Sequence, residues 1–497
     1  MLDQLPDDVL AMVMSHLVVK DLMACRLLCK RLAAVARHPD VWRHRRLRVD
    51  HGGRRWCPLL RLAPCVRKIS TILPLHALQC RHSDLQRASC AARELSITAF
   101  METCGAEEAG AAVVIIRQQE ALGRLRAVTL DLRPVDLIFS NGKHYGILTA
   151  DSMHLMVEAL SSTTDLEVIE LTAGNRRRAS HVAPAAAGLR GAIAPSLKSF
   201  TCDILPWTLA FCNDMLTRYA ATLEVVDLAD DDLSPFDAAL SPLRRLARMP
   251  NLRHLTSRVM PGLGAVVACE SLRSLKLNVE PVSADDAPGA LELLGNAHQL
   301  QVLHLDFLHD GDEADTDYPL IDAKLAADLI GALASSGQSQ VEELIIEVQH
   351  GTCLPPGAAD QLRLALPSLP ALRRLVVNLA PSSLLGGISS LTAPSLRSLQ
   401  IGLYDGDYRL CFHVLLHDGA LASLMSRNPL LHVELQQASC AAHEGFDDLC
   451  VGLPSCHQDL KKLESVGIFA HPKGECPSPE AHAIKRCNWF HINDFDL

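Results

Sequence analysis

Cysteine and histidine are the residue types of this 497-residue chain best suited to chemistry, and they are frequent near its C-terminus. The potential zinc ligands there are Cys450, Cys456, His457, His471, Cys476, His482, Cys487 and His491. Structural zinc sites usually take two cysteines separated by two to four residues, and this stretch contains no such pair. We therefore predict no metal site. Unrelated core thiols and surface imidazoles are the preferred interpretation, and metal binding is the alternative.

Motifs for other chemistry are missing. The acidic run from Asp306 to Asp317 has the residue types of a calcium loop, but it lacks the Asp-x-Asp-x-Asp-Gly order and the Glu six residues after the Gly. No GxxxxGK[ST] or GxSxG phrase occurs, and Gly386-Gly387 alone indicates a turn. The sequence therefore predicts a protein that is not an enzyme and that needs no cofactor.

The N-terminal residues predict three short helices. Pro6 can begin the first, and Asp21 can cap a second that ends at His38. Their apolar stripes are Val9, Val13 and Leu17, then Leu22, Cys25, Leu28, Cys29, Leu32 and Val35, and finally Val41, Trp42 and Leu47. Outside these stripes remain Leu10, Met12, Met14, Met23 and Leu27. Three helices in roughly 45 residues cannot bury enough apolar surface to fold robustly alone, so this surplus predicts a permanent partner.

These residues resemble the F-box. The segments LPDDVL from Leu5, MSHL from Met14, LLCKRL from Leu27 and PDVW from Pro39 follow the family's order over residues 3 to 47. Met14 replaces a common Phe and Leu32 a frequent Trp, and both keep an apolar side chain. The resemblance implies an interface with the Skp adaptor formed by Leu5, Pro6, Val9, Leu28, Cys29 and Trp42. A helical cap on a repeat protein is the alternative.

A recurrent LxxLxL-type pattern organises the remainder of the chain. Clear copies are Leu166-Ile169-Leu171, Leu223-Val226-Leu228, Leu272-Leu275-Leu277, Leu300-Leu303-Leu305, Leu372-Leu375-Val377 and Leu396-Leu399-Ile401, and weaker ones begin at Ala92, Leu125, Leu197, Leu252, Val341, Leu430 and Leu463. The last two positions of each copy alternate as in a short strand. Helices are predicted between them over 153–160, 209–221, 238–248, 287–294, 323–333 and 358–366. Stacked strand–helix units bury a continuous core.

The pattern resembles leucine-rich repeats, although the copies mostly lack the closing Asn or Cys and average about 31 residues. The implied fold is α/β: a three-helix F-box, then a degenerate solenoid with a curved parallel sheet and outer helices. We divide the chain into 1–48 (F-box), 49–90 (basic helical connector), 91–470 (about 12–13 irregular units) and 471–497 (C-terminal capping tail). The alternative is an α/β domain with a conventional parallel sheet.

Candidate recognition residues lie in long units and in one basic cluster. The units from Leu125 to Leu166 and from Leu300 to Val341 span 41 residues each, so both must loop out. The candidates for substrate binding are Lys143 and His144, Asp312 and Asp315, and Arg176, Arg177 and Arg178. Guanidinium groups suit a phosphate or an acidic motif. In each case a merely solvated loop is the alternative.

Composition favours an intracellular protein. The 17 cysteines are odd in number and irregularly spaced, which is typical of reduced thiols, and we find no signal peptide and no apolar run near 18 residues. We therefore expect a cytoplasmic or nuclear location and no membrane partner. Residues 1–70 hold 14 basic and 6 acidic groups, a net +8, against 33 and 51, a net −18, in the remainder. The basic segment lacks the interleaved aromatics of a nucleic-acid platform, so we expect a solvated connector and no nucleic-acid partner.

Taken with both resemblances, these features imply the substrate-recognition subunit of an SCF-type ubiquitin ligase. The F-box would bind the Skp adaptor and, through it, a cullin–RING ligase, and the repeats would hold an unknown protein substrate. Catalysis would belong to other subunits, which act by raising the effective concentration of substrate lysines. The alternative is a non-ligase interaction scaffold that uses its F-box without a cullin.

Overall fold

A computed structural model describes residues 5–49, 57–73, 85–100, 104–133, 149–173, 196–205, 207–228, 242–280, 287–307, 323–348, 354–378, 382–402, 419–436, 465–476 and 487–494. The chain forms two compact units, Met1–Asp232 and Leu233–Leu497. Within each unit the described strands lie side by side in chain order. Both units are therefore α/β solenoids with mostly parallel strands, as the repeat pattern predicts.

The first unit begins with four described helices: α1 (Asp7–His16), α2 (Val19–Leu28), α3 (Lys30–Val35) and α4 (Pro39–Trp42). The predicted second helix is therefore two helices, because the chain is fully extended at Cys29, with φ −158° and ψ 164°. The Sγ of Cys29 accepts a hydrogen bond from the Leu32 backbone N–H at 3.4 Å, which caps α3. Leu47 lies in a strand rather than in a third helix.

Strands and helices then alternate through the first unit. They are β1 (Arg46–Val49), α5 (Cys57–Leu62), β2 (Cys65–Leu73), a 3₁₀ turn (Leu85–Arg87), β3 (Ala91–Phe100), α6 (Ala106–Ala121), β4 (Ala127–Arg133), α7 (Ala150–Ser162), β5 (Val168–Ala173), β6 (Ser199–Cys202), α8 (Leu209–Arg218) and β7 (Val225–Leu228). All pairings described in this unit are parallel. Consecutive helices pack side by side, as in α6 with α7 and α7 with α8.

The second unit repeats this alternation. It contains α9 (Leu243–Leu246), β8 (His254–Arg258), a 3₁₀ turn (Leu263–Ala268), β9 (Ser274–Val279), α10 (Ala287–Asn296), β10 (Val302–Phe307), α11 (Ala323–Ser335), β11 (Glu343–Val348), α12 (Pro356–Ala365), a 3₁₀ turn (Leu366–Ser368), β12 (Arg374–Asn378), α13 (Ser382–Gly387), β13 (Ser398–Gly402), α14 (Ala420–Arg427) and β14 (His432–Gln436). It ends with β15 (Ser465–Phe469), a 3₁₀ turn (Lys473–Glu475), β16 (Asn488–His491) and a 3₁₀ turn (Ile492–Asp494).

The pairing register of the strands brings equivalent apolar residues into one row within each unit. In the first unit the row is Leu47, Ile69, Leu95, Val128, Ile169, Phe200 and Val226. In the second it is Leu255, Leu275, Leu303, Leu344, Leu375, Leu399 and Val433. Every member of both rows is at most 2% exposed, so these layers form the core. The alternation is the one expected for strands with a single inward face.

The start of the sheet differs from the prediction. It begins at Arg46, inside the predicted F-box boundary, and β2 lies within the predicted basic connector. Lys68 and Ser70 of β2 pair with Arg46 and Arg48 of β1, so these basic residues belong to strands instead of a solvated linker. Positive charge misled the prediction because an outward strand position accepts Arg or Lys as readily as a loop does.

The last strands also depart from the repeat. Leu430, which was predicted to begin a copy of the repeat pattern, is 41% exposed, and its neighbour Leu431 is buried instead. β15 runs antiparallel to β14, whereas β16 is parallel to β15. Gly467 of β15 faces the indole ring of Trp489, which a Cβ at position 467 would overlap. The described part of the predicted capping tail therefore extends the sheet with a strand.

Two general expectations can be compared with the described residues. The ten cysteines whose side chains are described are thiols and not disulfides, and seven of them are buried. Among the described helices, each is too short or too polar to cross a lipid bilayer.

Candidate partner-binding site

Large apolar side chains are exposed at high density on the N-terminal helices. Ten such side chains are exposed in the described residues, and half of them lie within residues 12–28. This exposed apolar set comprises Met12 (60% exposed), Val13 (46%), Val18 (63%), Leu27 (81%) and Leu28 (73%). Several exposed apolar side chains in one short segment indicate an interaction site more often than a solitary exposed Leu does.

The helices do have a small core, but its α1 face differs from the predicted one. Leu10 and Met14 are 3% exposed, whereas Val13 of the predicted stripe is exposed. Both Val9-Val13-Leu17 and Leu10-Met14 satisfy a 3.6-residue period, so local spacing alone could not choose between them. Packing of α1 on α4 decides for the second face.

Trp42 anchors this core. Its side chain is 1% exposed, and its Nε1–H donates to the Ala36 carbonyl at 2.7 Å. A side chain this deeply buried cannot contact another protein directly, so Trp42 belongs among the residues that hold the helices together. The part that Trp42 plays in the predicted adaptor interface would be through the helices that it supports, and it stays a prediction.

Arg45 and Arg31 fix the helices relative to one another. The guanidinium of Arg45 donates to the carbonyls of Met14, Ser15 and Leu17 at 3.0, 3.2 and 2.8 Å, at the C-terminal end of α1. Burial lowers the pKa of the Arg45 guanidinium. Arg31 of α3 forms an ion pair with Asp7 at 2.7 Å and also donates to the Leu5 carbonyl. The start of α1 therefore lies beside α3.

The match to known families concerns this segment. Residues 2–48 match the family model described as F-box-like. The N-terminal segment is F-box-like. No curated protein sequence matches the chain. The match contains all five residues of the exposed apolar set and ends at residue 48, so it does not extend over the repeats that follow.

Solved structures with similar folds include two distant ones. The chain is similar to LegL7, a leucine-rich repeat-containing protein from Legionella pneumophila, with 13% identity and a TM-score of 0.35 over 77% of this chain and 97% of that one. It is also similar to a chain of the yeast Rad7 and Elc1 complex, with 14% identity and a TM-score of 0.34 over 88% of this chain and 91% of that one. Both scores lie below 0.5, so the fold assignment rests on this chain's own strands and helices.

The predicted adaptor residues have different environments in the F-box-like segment. Leu28 and Cys29 are exposed at the break between α2 and α3, and Pro6 is exposed just before α1. Leu5 and Val9 are half-buried. The Arg31 contacts join the Leu5 end of α1 to the helix that starts directly after Cys29. The sequence analysis placed Leu27 in the surplus of apolar residues but not among the adaptor residues, and it did not single out Val18, which is 63% exposed.

The predicted substrate-binding residues lie outside the described residues. This applies to Lys143, His144, Asp312, Asp315, Arg176, Arg177 and Arg178. They remain predictions. The structure describes only the start of the acidic run, where Asp306 is 4% exposed and forms an ion pair with Lys276 at 2.9 Å.

The outward face of the strands in the second unit carries polar side chains that pair across strands. His304 of β10 contacts Glu347 of β11 at 2.9 Å. Arg374 of β12 contacts Glu343 of β11 at 3.1 Å and donates to Gln400 of β13 at 2.8 Å. The hydrogen bond from His304 lowers the pKa of the Glu347 carboxyl. This ordered polar face, opposite the buried leucine row, is suited to contact another polar surface.

Two groups of side chains could hold a metal ion among the described residues. His304, Asp306 and Glu347 form the first, but the ammonium of Lys276 already neutralises Asp306 at 2.9 Å and would repel a cation. The second is His432, His471 and Cys476, whose ligand atoms all lie within 4.8 Å of one another. Both histidines are 2% exposed. His471 is therefore buried, whereas the sequence analysis expected a surface imidazole.

Proposed function

We propose that this protein is a non-catalytic substrate-receptor subunit of an SCF-type ubiquitin ligase. Its F-box-like segment binds a Skp-type adaptor, and its solenoid holds a protein substrate. The observation that carries the proposal is the exposed apolar set on helices that match the F-box-like family model. A small helical domain that exposes Leu27 and Leu28 gains stability by burying them against a partner.

Helix geometry supports this assignment of the interface. Leu28 ends α2, Cys29 caps α3, and the Arg31 contacts bring the Leu5 end of α1 to the same corner. Leu5, Pro6, Val9, Leu28 and Cys29 therefore can act together in one interface with Met12, Val13, Val18 and Leu27 around them. Trp42 and Arg45 contribute indirectly, because their hydrogen bonds hold the helices in place.

The solenoid supplies the second half of the proposal. The described strands of each unit bury an inner apolar row, which leaves the outward face and the loops for recognition. The polar face of β10–β13 is one candidate surface for the substrate. The two long loops and the cluster Arg176, Arg177 and Arg178 are the other candidates, and the guanidinium groups suit an acidic or phosphorylated segment.

A binding measurement tests the adaptor interface. We expect Leu27→Asp combined with Leu28→Asp to weaken adaptor binding at least about 100-fold, because each Leu contributes about 1.5–3 kcal/mol when buried and an unpaired carboxylate opposes burial. Calorimetric titration of the full chain with a purified Skp-type adaptor measures this. Leu391→Asp is the matched control, since Leu391 is 90% exposed in the second unit.

Equal affinities of the double variant and the Leu391→Asp control would refute the interface. A narrower test changes Leu5 and Pro6 to Ala together. Unaltered adaptor binding by that variant would remove these two residues from the interface while leaving the exposed apolar set in place.

Co-purification separates the ligase from the scaffold alternative. The full chain expressed with adaptor, cullin and RING subunits should recover all three in one complex if the protein is a ligase receptor. Recovery of the adaptor without the cullin would overturn the ligase proposal and favour a scaffold that uses the adaptor alone. Neither result depends on knowledge of the substrate.

A further inference from the structure

The C-terminal end of the second unit brings three potential metal ligands together. His432 is the first residue of β14, and His471 and Cys476 follow β15. Cys476 Sγ lies 3.4 Å from His432 Nε2, and one ligand atom from each of the three residues lies within 4.8 Å of the other two. The antiparallel pairing of β15 with β14 produces this meeting of segments.

The spacing is suitable for a tetrahedral ion. Zinc–sulfur and zinc–nitrogen bonds of about 2.3 Å and 2.0–2.1 Å place neighbouring ligand atoms about 3.5 Å apart at a tetrahedral angle. Cys476 Sγ and His432 Nε2 already have that separation. The other separations between ligand atoms are at most 4.8 Å. Side-chain movements of about 1 Å would bring these atoms to the separation of a tetrahedral zinc site.

A backbone carbonyl orients one of the histidines. His471 Nδ1 lies 3.1 Å from the carbonyl oxygen of Pro429, and because a carbonyl only accepts, Nδ1 must carry the proton. That tautomer leaves the Nε2 lone pair for a metal. The arrangement, in which a ligand histidine donates its other ring N–H to a backbone carbonyl, is the usual outer support of a metal-binding imidazole.

We propose that His432, His471 and Cys476 form a zinc site. Two imidazoles and one thiolate are donors that suit Zn²⁺, and two of the three side chains are almost fully buried, which favours a fixed site. Three protein ligands leave the fourth tetrahedral position for water or another donor. Zinc binding deprotonates the Cys476 thiol and releases that proton to solvent.

The position of the site gives the ion a structural task. It would cross-link β14 to the segment after β15, where the sheet changes from parallel to antiparallel pairing. A change of strand direction interrupts the regular stacking of repeats, and a cross-link at this point holds the two directions of chain together. Around the site, His432 packs edge-on against Trp489, and Phe469 packs against His471 and His491. Zinc bound here stabilises the folded chain by mass action.

Cobalt substitution tests the proposal on the full-length chain. Co²⁺ added to the metal-free protein should give a thiolate-to-cobalt charge-transfer absorption and tetrahedral d–d bands, both lost on adding one equivalent of Zn²⁺. Cys476→Ser should lose the charge-transfer absorption, and His471→Gln should weaken cobalt binding at least tenfold. His491→Gln is the matched control, because His491 packs on the same Phe469 and its Nε2 contacts the Ala470 carbonyl at 3.2 Å, but it is not one of the three ligands.

Thermal unfolding provides the second readout. Zinc should raise the melting temperature of the wild-type and His491→Gln chains, and it should leave the Cys476→Ser chain at its value in EDTA. The proposal is overturned if the wild-type chain shows no charge-transfer absorption. It is equally overturned if Cys476→Ser retains that absorption, since the thiolate would then belong to another cysteine.

Discussion

The F-box-like helices and the leucine rows of the solenoid use apolar residues in opposite ways. In the second unit Leu275, Leu303 and Leu305 are 0% exposed, and in the F-box-like segment Leu27 and Leu28 are 81% and 73% exposed. The leucines of the inner row are buried because the same row of each neighbouring strand packs beside them. The short helices have no such neighbour. This contrast supports the proposed adaptor interface on the F-box-like segment, because its exposed leucines lack the packing that the inner rows of the solenoid have.

Cysteine reactivity should show this contrast most strongly. Burial raises the pKa of the Cys90 thiol to about 12, whereas Cys29 is exposed in the F-box-like segment. At pH 8 a thiol of pKa near 12 is about 10⁻⁴ thiolate, so Cys90 should react with iodoacetamide at least about a thousandfold more slowly than free cysteine. Cys29 should react readily. Mass spectrometry of peptides after timed labelling measures both rates.

The same labelling reports on the adaptor interface. Bound adaptor should slow modification of Cys29 at least about tenfold and leave the rate at Cys476, which is half-buried in the second unit, unchanged. Cys29 labelled at one rate with and without the adaptor would place the interface elsewhere. Rapid labelling of Cys90 in the folded chain would contradict the burial of its thiol in the core of the first unit.

Truncation of a leucine should have unequal effects in the two regions. Leu305→Ala should lower the free energy of unfolding by about 2–5 kcal/mol, because it leaves a cavity in a filled layer. Leu27→Ala should change it by less than about 0.5 kcal/mol in the absence of the adaptor, since Leu27 is already in water. Urea unfolding of each variant measures the difference. Similar losses in the free energy of unfolding for both substitutions would contradict the proposed difference between the solenoid and the F-box-like segment.

Arg45→Ala tests how the F-box-like helices are held. The substitution removes the hydrogen bonds to the Met14, Ser15 and Leu17 carbonyls, and we expect a loss of about 1–3 kcal/mol in stability and weaker adaptor binding. Arg45→Lys is the control, because it keeps the charge but cannot reach several carbonyls at once. Recovery of full stability by Lys would mean that charge near the end of α1 matters and the hydrogen bonds do not.

The smallest expected effect concerns the polar face of the solenoid. Because the folded-state pKa of Glu347 is lowered by His304, its contribution is fully present above the ordinary Glu pKa of about 4.3 and is lost as pH falls through the folded value. His304→Gln should lower stability at neutral pH by less than about 1 kcal/mol, since Glu347 is 45% exposed. The difference should disappear only as pH falls through the lowered folded-state pKa of Glu347. Exposed His254 of β8 gives the control, His254→Gln.

Sequence predicted the repeated elements well and the site in part. The copies of the repeat pattern that begin at Leu272, Leu300 and Leu372 each have a buried first residue and two buried strand residues, as predicted. This could be predicted because side chains of a strand alternate with a period of two residues. The predicted helices at 287–294 and 323–333 fall within α10 and α11. The surplus of apolar residues in the N-terminal helices was also readable, since it needs only composition and helix length.

Contacts between distant segments decided the rest. The choice of Leu10 and Met14 as the inner face of α1 depends on α4, and the break at Cys29 depends on how α3 packs. The absence of closely spaced cysteines predicted no metal site, yet His432 meets Cys476 across 44 positions. No local spacing encodes that meeting.

By itself the sequence determined that strands and helices alternate and that the N-terminal helices carry more apolar surface than they can bury. Both follow from local periodicity and from the ratio of surface to volume in small domains. Only the tertiary structure decided which apolar residues stay exposed, where the sheet begins at Arg46, and that β15 turns back on β14. These depend on register and packing between segments far apart in the chain, which pattern alone does not specify.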